Sequence, residues 1–298
     1  MNKLKQELEQ YGEVQENVSF QTMTTLRIGG YARYVVYPKT TLALTQIIRE
    51  VKDACVPFKV IGKGSNLLCS DHDFNGVVIR LDRTFTDFYF DHDVCYAEAG
   101  CSIIAVAYET IKQNLGGLEF ASGIPGTVGG VTFMNAGAYK CNMADIIQEV
   151  FIYRDGRCEW VTQDECNFDY RYSIFHDHPD WIILAIKMKL FMNDAQIVRE
   201  LIENRRQRRL ETQPLNFPSA GSVFRNLPDN PAWYYIDALG WRGKKVGGAM
   251  ISEKHANFIV NIGNATACDF LCLVEQIQVA ARQRFQVELI MEVERFNW

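Results

Sequence analysis

Apolar residues recur along this 298-residue chain in two rhythms. Leu44, Ile47, Ile48 and Val51 repeat at three and four residues, which puts them on one face of an amphipathic helix over residues 41–54. A short polar helix precedes it at the N-terminus. Pro57 ends the striped helix, and residues 58–61 predict a strand that runs straight into Gly62-Lys63-Gly64-Ser65-Asn66. Further strands are predicted at 77–81, 85–90 and 94–99. Ser102 is placed to cap a helix through Asn114, with Ile103, Ile104, Val106, Ala107 and Ile111 inward. Strands follow near 149–153, 159–162 and 182–191, and this α+β block closes at about residue 192. After Asp194, a plausible cap, Ile197, Val198, Leu201 and Ile202 mark one side of a helix over 195–210. Residues 213–231 hold four prolines and two serines, a structured loop. A helix at 232–239, a strand at 258–262, a long helix over 267–285 and a final strand at 287–293 complete the chain.

One stretch follows neither rhythm. Residues 123–139 read GIPGTVGGVTFMNAGAY, with five glycines and hardly a charge. Gly126, Gly129, Gly130 and Gly137 lack a Cβ, so the backbone can turn sharply and lie close to a ligand. For one glycine-rich run a packed sheet corner is the simpler account. The second glycine loop upstream and the polar residues downstream argue for more.

Composition narrows the function classes. Hydrophobic content of 48% and charged content of 22% are those of a globular protein, and the length suffices for two or three packed units. A net charge of −5 argues against a nucleic-acid partner. No apolar run approaches the roughly 20 residues that span a bilayer, and the start of the chain lacks a signal peptide's apolar core. Nine cysteines, an odd number without framework spacing, fit reduced thiols in a cytoplasm. Gly62-Lys63-Gly64 is not a dinucleotide fingerprint, because Leu67 stands at the third glycine position. Gly243-Lys244-Lys245 lacks the Ser or Thr of a phosphate-binding P-loop. Asp71-His72-Asp73, Asp91-His92-Asp93 and His176-Asp177-His178 sit between strands without metal-ligand spacing, so no metal is expected.

Several polar residues stand in unusual settings. Arg171 lies among aromatics in Tyr170-Arg171-Tyr172-Ser173, where its guanidinium offers a rigid fork to a carboxylate. Taken alone, it is more often a structural ion pair. Ser222 follows glycine in Ser219-Ala220-Gly221-Ser222-Val223-Phe224-Arg225-Asn226; taken alone, it is a turn serine or cap. Glu292 interrupts Leu289-Ile290-Met291-Glu292-Val293 and shares a face with Ile290, half-buried, with a pKa that burial would raise.

Together these pieces resemble the UDP-N-acetylenolpyruvoylglucosamine reductase family, flavoenzymes of peptidoglycan precursor synthesis. The resemblance runs from Thr24-Thr25-Leu26-Arg27-Ile28-Gly29-Gly30 through both glycine stretches and the Arg171 segment. It continues through Ser219 to Asn226, Gly247-Gly248-Ala249 with Ser252 to Asn257, and Glu292-Val293. It implies an α+β fold: a two-lobed FAD-binding domain of the vanillyl-alcohol-oxidase type over 1–192, with lobes near 1–82 and 83–192. A C-terminal α+β substrate-binding domain then covers 193–298. Few residues separate Ser173 from the strand at 182, so the chain resembles the shorter form of the family, without the tyrosine-bearing insertion.

The resemblance further implies non-covalent FAD and NADPH as co-substrate, with no histidine between Val60 and Ser70 to tether the flavin. The flavin would be held by Gly62, Lys63, Gly64, Ser65, Asn66, Gly123, Gly126, Thr127, Gly129, Gly130, Asn135 and Gly137. Arg171 matches the family's carboxylate-binding arginine, Ser222 the serine that protonates carbon, and Glu292 the catalytic glutamate. Asn226 and Arg242 match substrate-binding positions, Arg242 standing where lysine is common. Glu294 stands where arginine usually follows Glu-Val, with Arg295 one place later. The expected reaction reduces the enolpyruvyl group of UDP-N-acetylglucosamine enolpyruvate to the lactyl ether, in the cytoplasm. An FAD oxidase of the same cofactor fold and a non-catalytic sugar-nucleotide binding protein are the alternatives.

Overall fold

The stripe at 44–51 is a helix over Thr41–Asp53 in the computed structural model, which describes residues 2–298. The Thr40 hydroxyl caps it by accepting from Ala43 N at 3.1 Å, and Leu44, Ile47, Ile48 and Val51 are wholly buried. The chain forms two compact units. Among the described residues, the first contains 2–16, 34–63 and 75–208; the second contains 17–33, 64–74 and 209–298. Neither is a continuous stretch of chain, whereas the domains expected from sequence meet at 192/193.

A four-stranded sheet runs in the order Gly12–Ser19, Tyr31–Pro38, Phe74–Ile79, Phe58–Val60. Its last two strands are parallel, Phe58 opposite Val77 and Val60 opposite Ile79. The first unit also holds a five-stranded antiparallel sheet, Arg157–Thr162, Ile147–Arg154, Ile182–Lys189, Val94–Glu98, Phe88–Asp91. Ala97, Val150, Ile152, Ile186 and Met188 point from it into the core. Alternation locates these strands within a few residues, because each has one buried face. The helix after Ser102 is shorter than expected, Ile103–Glu109, and the Ser102 side chain makes no capping bond. Asp194 does cap, its carboxylate accepting from Gln196 N at 2.7 Å ahead of the helix Ala195–Thr212.

In the second unit a small sheet of Lys245–Val246, Ala249–Ile251 and Ile259–Asn261 packs on the helix Ala267–Phe285. Thr266 and Asp269 close a reciprocal capping box at that helix's start. Leu26, Ile28 and Leu68 are buried in the same core as Phe224, Phe270 and Ile277. Arg27, between the first two, is turned outward at φ 55. The last strand is not 287–293 but Glu294–Phe296, paired in parallel with Leu67–Cys69. Residues 287–293 carry a single bridge, Phe224 to Met291. No helix among the described residues is long and apolar enough to cross a membrane.

Candidate active site

In the first unit the two glycine loops meet. A Cβ on Gly62 would stand 2.4 Å from Thr127 Oγ1, too close for any side chain. Thr127 is buried and caps the six-residue helix Val128–Phe133, its hydroxyl accepting from Gly130 N at 3.2 Å. Periodicity missed this helix because two of its six residues are glycine. The glycines inside the stretch serve the chain's own packing. A Cβ on Gly129 would lie 2.9 Å from Ala99 Cβ, and one on Gly126 would lie 2.7 Å from Val131 Cγ1. At these two positions the missing Cβ makes room for the chain itself. Gly130 is less confined, with only Thr127 Oγ1 at 3.3 Å, and Gly123 is half-buried. Gly137 starts a hairpin, Gly137–Ala138 against Cys141–Asn142, that turns through Tyr139 and Lys140.

Arg171 occupies the second central position of a tight reversal. Asp169 and Tyr172 close the turn with reciprocal backbone bonds of 3.1 Å. Arg171 has φ 55, a conformation usually left to Gly or Asn at this point of a turn. Holding a bulky residue there costs of order 1–3 kcal/mol, which surrounding contacts must offset. They do so here: Arg171 Nη2 donates to Gly137 O at 2.8 Å, and its guanidinium lies 5.0 Å from the Tyr170 ring centre. Ser173, fully buried, donates from Oγ to Phe133 O at 2.5 Å. Asn135 Nδ2 donates to Asp169 O at 2.9 Å. Arg171 is thus brought onto the glycine-rich stretch, 34 residues away in sequence.

In the second unit backbone hydrogen bonds around the Phe224–Met291 bridge bring the Ser222 and Glu292 segments side by side. Glu292 N donates to Val223 O at 2.8 Å, and Arg225 N to Ile290 O at 2.9 Å. Both Ser222 and Glu292 are half-buried. Asn257, almost fully buried, fixes the Ser222 segment from the other side. Its Oδ1 accepts from Phe224 N at 3.0 Å and its Nδ2 donates to Phe224 O at 2.8 Å. Asn66 ties the loop at 64–66 to the same place, donating from Nδ2 to Glu292 O at 3.1 Å and accepting from Glu294 N at 2.9 Å. The sequence reading did not single out Asn257 and gave Asn66 another role. The signal was an amide residue bordering a buried apolar run, Leu67-Leu68 in one case and Phe258-Ile259 in the other.

Asn226 is exposed, and its Oδ1 accepts from Ala232 N at 3.1 Å, so it caps the helix Ala232–Ala238. Arg242 is ion-paired with Asp237 and donates from Nη1 to Glu253 O at 2.8 Å. The hydrogen bond from Arg242 Nε to the Asp237 carboxylate holds that carboxyl below its ordinary range. Burial, with the Arg242 charge second, pushes the His255 imidazole down, and its Nδ1 accepts from Asn257 N at 3.3 Å.

This framework matches known proteins along its length. The family model for the UDP-N-acetylenolpyruvoylglucosamine reductase C-terminal domain matches residues 213–296, and that of an FAD binding domain matches 32–162. The reductase of Anoxybacillus flavithermus is 42% identical over 298 residues, 99% of this chain and 98% of the relative. That of Bacillus subtilis is 36% identical over 297 residues, with the same coverage. The chain belongs to the UDP-N-acetylenolpyruvoylglucosamine reductase family. The crystal structure of the Thermus caldophilus reductase superposes with a TM-score of 0.83 at 33% identity, covering 96% of this chain and all of that one. An alkyldihydroxyacetonephosphate synthase, at 15% identity and a TM-score of 0.50 over 64% of this chain and 40% of its own, shares the fold alone. Between Ser173 and the strand at Ile182 lies only a short 3-10 turn, Ile174–His176, as in the shorter form of the family.

FAD is the family's cofactor, and the residues present suit it. Among the described residues, no acceptor faces the backbone N–H groups of Lys63, Gly64 and Ser65, although Gly64 is buried. Consecutive unspent N–H groups around a left-handed glycine, Gly64 at φ 62, are the donors from which anion nests are made. Thr132 Oγ1, fully buried in the central stretch, likewise finds no partner among the described residues.

Proposed function

We propose that Arg171, Ser222 and Glu292 carry the substrate-reducing step of this flavoenzyme. Family membership makes the chain an FAD-containing, NADPH-dependent oxidoreductase of peptidoglycan precursor synthesis. Its substrate is UDP-N-acetylglucosamine enolpyruvate, and it acts in the cytoplasm. Bound FAD supplies the hydride chemistry, two electrons taken from NADPH and passed to the enolpyruvyl double bond. As the double bond is reduced, negative charge moves onto the substrate carboxylate, where a fixed cation lowers the barrier most. Arg171 binds that carboxylate, its guanidinium already oriented by Gly137 O. Ser222 Oγ delivers the proton to the carbon that bears the carboxylate; a hydroxyl is a weak acid, so it needs a strongly basic carbon and a dry site. Glu292, protonated, donates a hydrogen bond to the same developing charge. Lys63, Gly64 and Ser65 hold the cofactor's diphosphate through their backbone N–H groups. Asn226 and Arg242 face the sugar nucleotide.

The observation that supports this best is the Glu292 N–H bond to Val223 O, which sets the acid beside the serine's own segment. Rapid mixing tests it. Ser222→Ala and Arg171→Lys are each expected to leave flavin reduction by NADPH within a few-fold of wild type. Reoxidation of reduced flavin by the enolpyruvyl substrate should slow by three or more orders of magnitude in Ser222→Ala. It should slow by at least tenfold in Arg171→Lys. Near-normal reoxidation in either variant removes that residue from the mechanism, and fast reoxidation by oxygen alone would favour an oxidase.

A further inference from the structure

Three side-chain bonds staple the Arg171 turn to residues 133–137: Ser173 to Phe133 O, Asn135 to Asp169 O, and Arg171 to Gly137 O. The middle one differs from the others because its side chain is held at both ends. Asn135 Oδ1 accepts from Ala144 N at 2.9 Å while Nδ2 donates to Asp169 O at 2.9 Å. A backbone N–H on one side and a carbonyl on the other leave the amide one orientation only. Asn135 is 4% exposed and has φ 39, a left-handed conformation that asparagine tolerates and most residues do not. Its acceptor, Asp169 O, is the foot of the turn and also receives Tyr172 N at 3.1 Å. Whatever moves Asp169 moves the guanidinium two residues on.

We propose that Asn135 is a positioning residue for Arg171. It holds the strained turn in register on the glycine-rich stretch, so that the guanidinium meets the substrate carboxylate already aimed. One bond at each end of the amide, to Asp169 O and from Ala144 N, is what fixes its orientation against the turn. The inference rests on the reading of Arg171 as the carboxylate-binding group.

Two variants separate the bond from the backbone. Asn135→Gly keeps the left-handed conformation and removes both bonds. Asn135→Asp keeps the acceptor for Ala144 N but sets a carboxylate against Asp169 O. In the flavin-loaded enzyme both should slow reoxidation of reduced flavin by the enolpyruvyl substrate at least tenfold. Flavin reduction by NADPH should change no more than twofold, with flavin content unchanged. A residue that merely supports the fold would lower both half-reactions together. In an Arg171→Lys background, Asn135→Asp should add less than a further twofold loss, because the group it aims is already gone. Equal loss in both half-reactions, loss of flavin, or a full multiplicative loss in the Arg171→Lys background overturns the proposal. If Arg171→Lys itself reoxidises normally, the reading of Arg171 fails and the proposal with it. If Arg171→Lys is impaired and both Asn135 variants are normal, the proposal fails alone. Should Asn135→Gly fail to fold, Asn135→Asp carries the same comparisons.

Discussion

The meeting of the two glycine loops can be measured as a coupling between Gly62 and Thr127. Gly62 does not need a left-handed φ, so alanine there meets a steric cost and little backbone strain. That cost has one source. The added Cβ would lie 2.4 Å from Thr127 Oγ1, while the other Thr127 atoms near it, Cβ and Cγ2, are at an ordinary 3.5 Å. Forcing one methyl into a packed contact typically costs about 1–3 kcal/mol. Thr127→Ala removes the clashing oxygen but also the cap on the helix Val128–Phe133, a loss of about 1 kcal/mol. The double variant Gly62→Ala with Thr127→Ala should therefore be no less stable than Gly62→Ala alone. The cycle should show a coupling of about 1–2 kcal/mol, well above the few tenths found for independent sites. Urea unfolding of all four proteins, loaded with FAD, supplies the numbers. Flavin retention provides a second readout, since Gly62→Ala moves the donors that follow it and the second substitution should restore them. Additive destabilisation within about 0.5 kcal/mol would show that the two loops do not touch and refute the argument.

Two further outcomes follow from the titrating groups. Burial and the Arg242 charge keep His255 neutral in the folded protein, its pKa below the ordinary 6.5, whereas the unfolded chain takes up a proton near that value. Its contribution to stability is therefore complete above pH 6.5 and is lost as pH falls below it toward the native value. His255→Gln should flatten this part of the urea-stability profile, and a His255 ring that titrates at or above 6.5 by NMR contradicts the reasoning. Burial pushes the thiols of Cys69, Cys95, Cys101 and Cys166 up to about 12, while Cys55, Cys141 and Cys268 are exposed. A thiol reagent should label those three quickly in the native protein and all nine after unfolding; early labelling at Cys95 or Cys101 would mean that the sheet opens.

Local pattern was enough for elements whose stability is itself local or one-faced. The helices at 41–53 and 267–285 and the strands of the five-stranded sheet follow from periodicity, caps and alternation, because each buries one face whatever lies opposite. The motifs around Arg171, Ser222 and Glu292 were legible as motifs, since chemistry of this kind draws on few residue types. What periodicity could not reach was partnership. Leu26, Ile28 and Leu68 read as apolar in any core, and only packing assigns them to the one that holds Phe224 and Phe270. The strand expected at 287–293 pairs instead at Glu294–Phe296, because a ladder is decided by the neighbour, Leu67–Cys69, more than two hundred residues away. The same holds for the amides. Asn66, Asn135 and Asn257 are ordinary polar letters in a sequence, and each becomes a clamp on a distant segment through bonds spanning 226, 34 and 33 residues. A hydrogen bond needs its donor and acceptor within about 3 Å and aligned, and no one-dimensional pattern carries that distance; it exists only once the chain has folded.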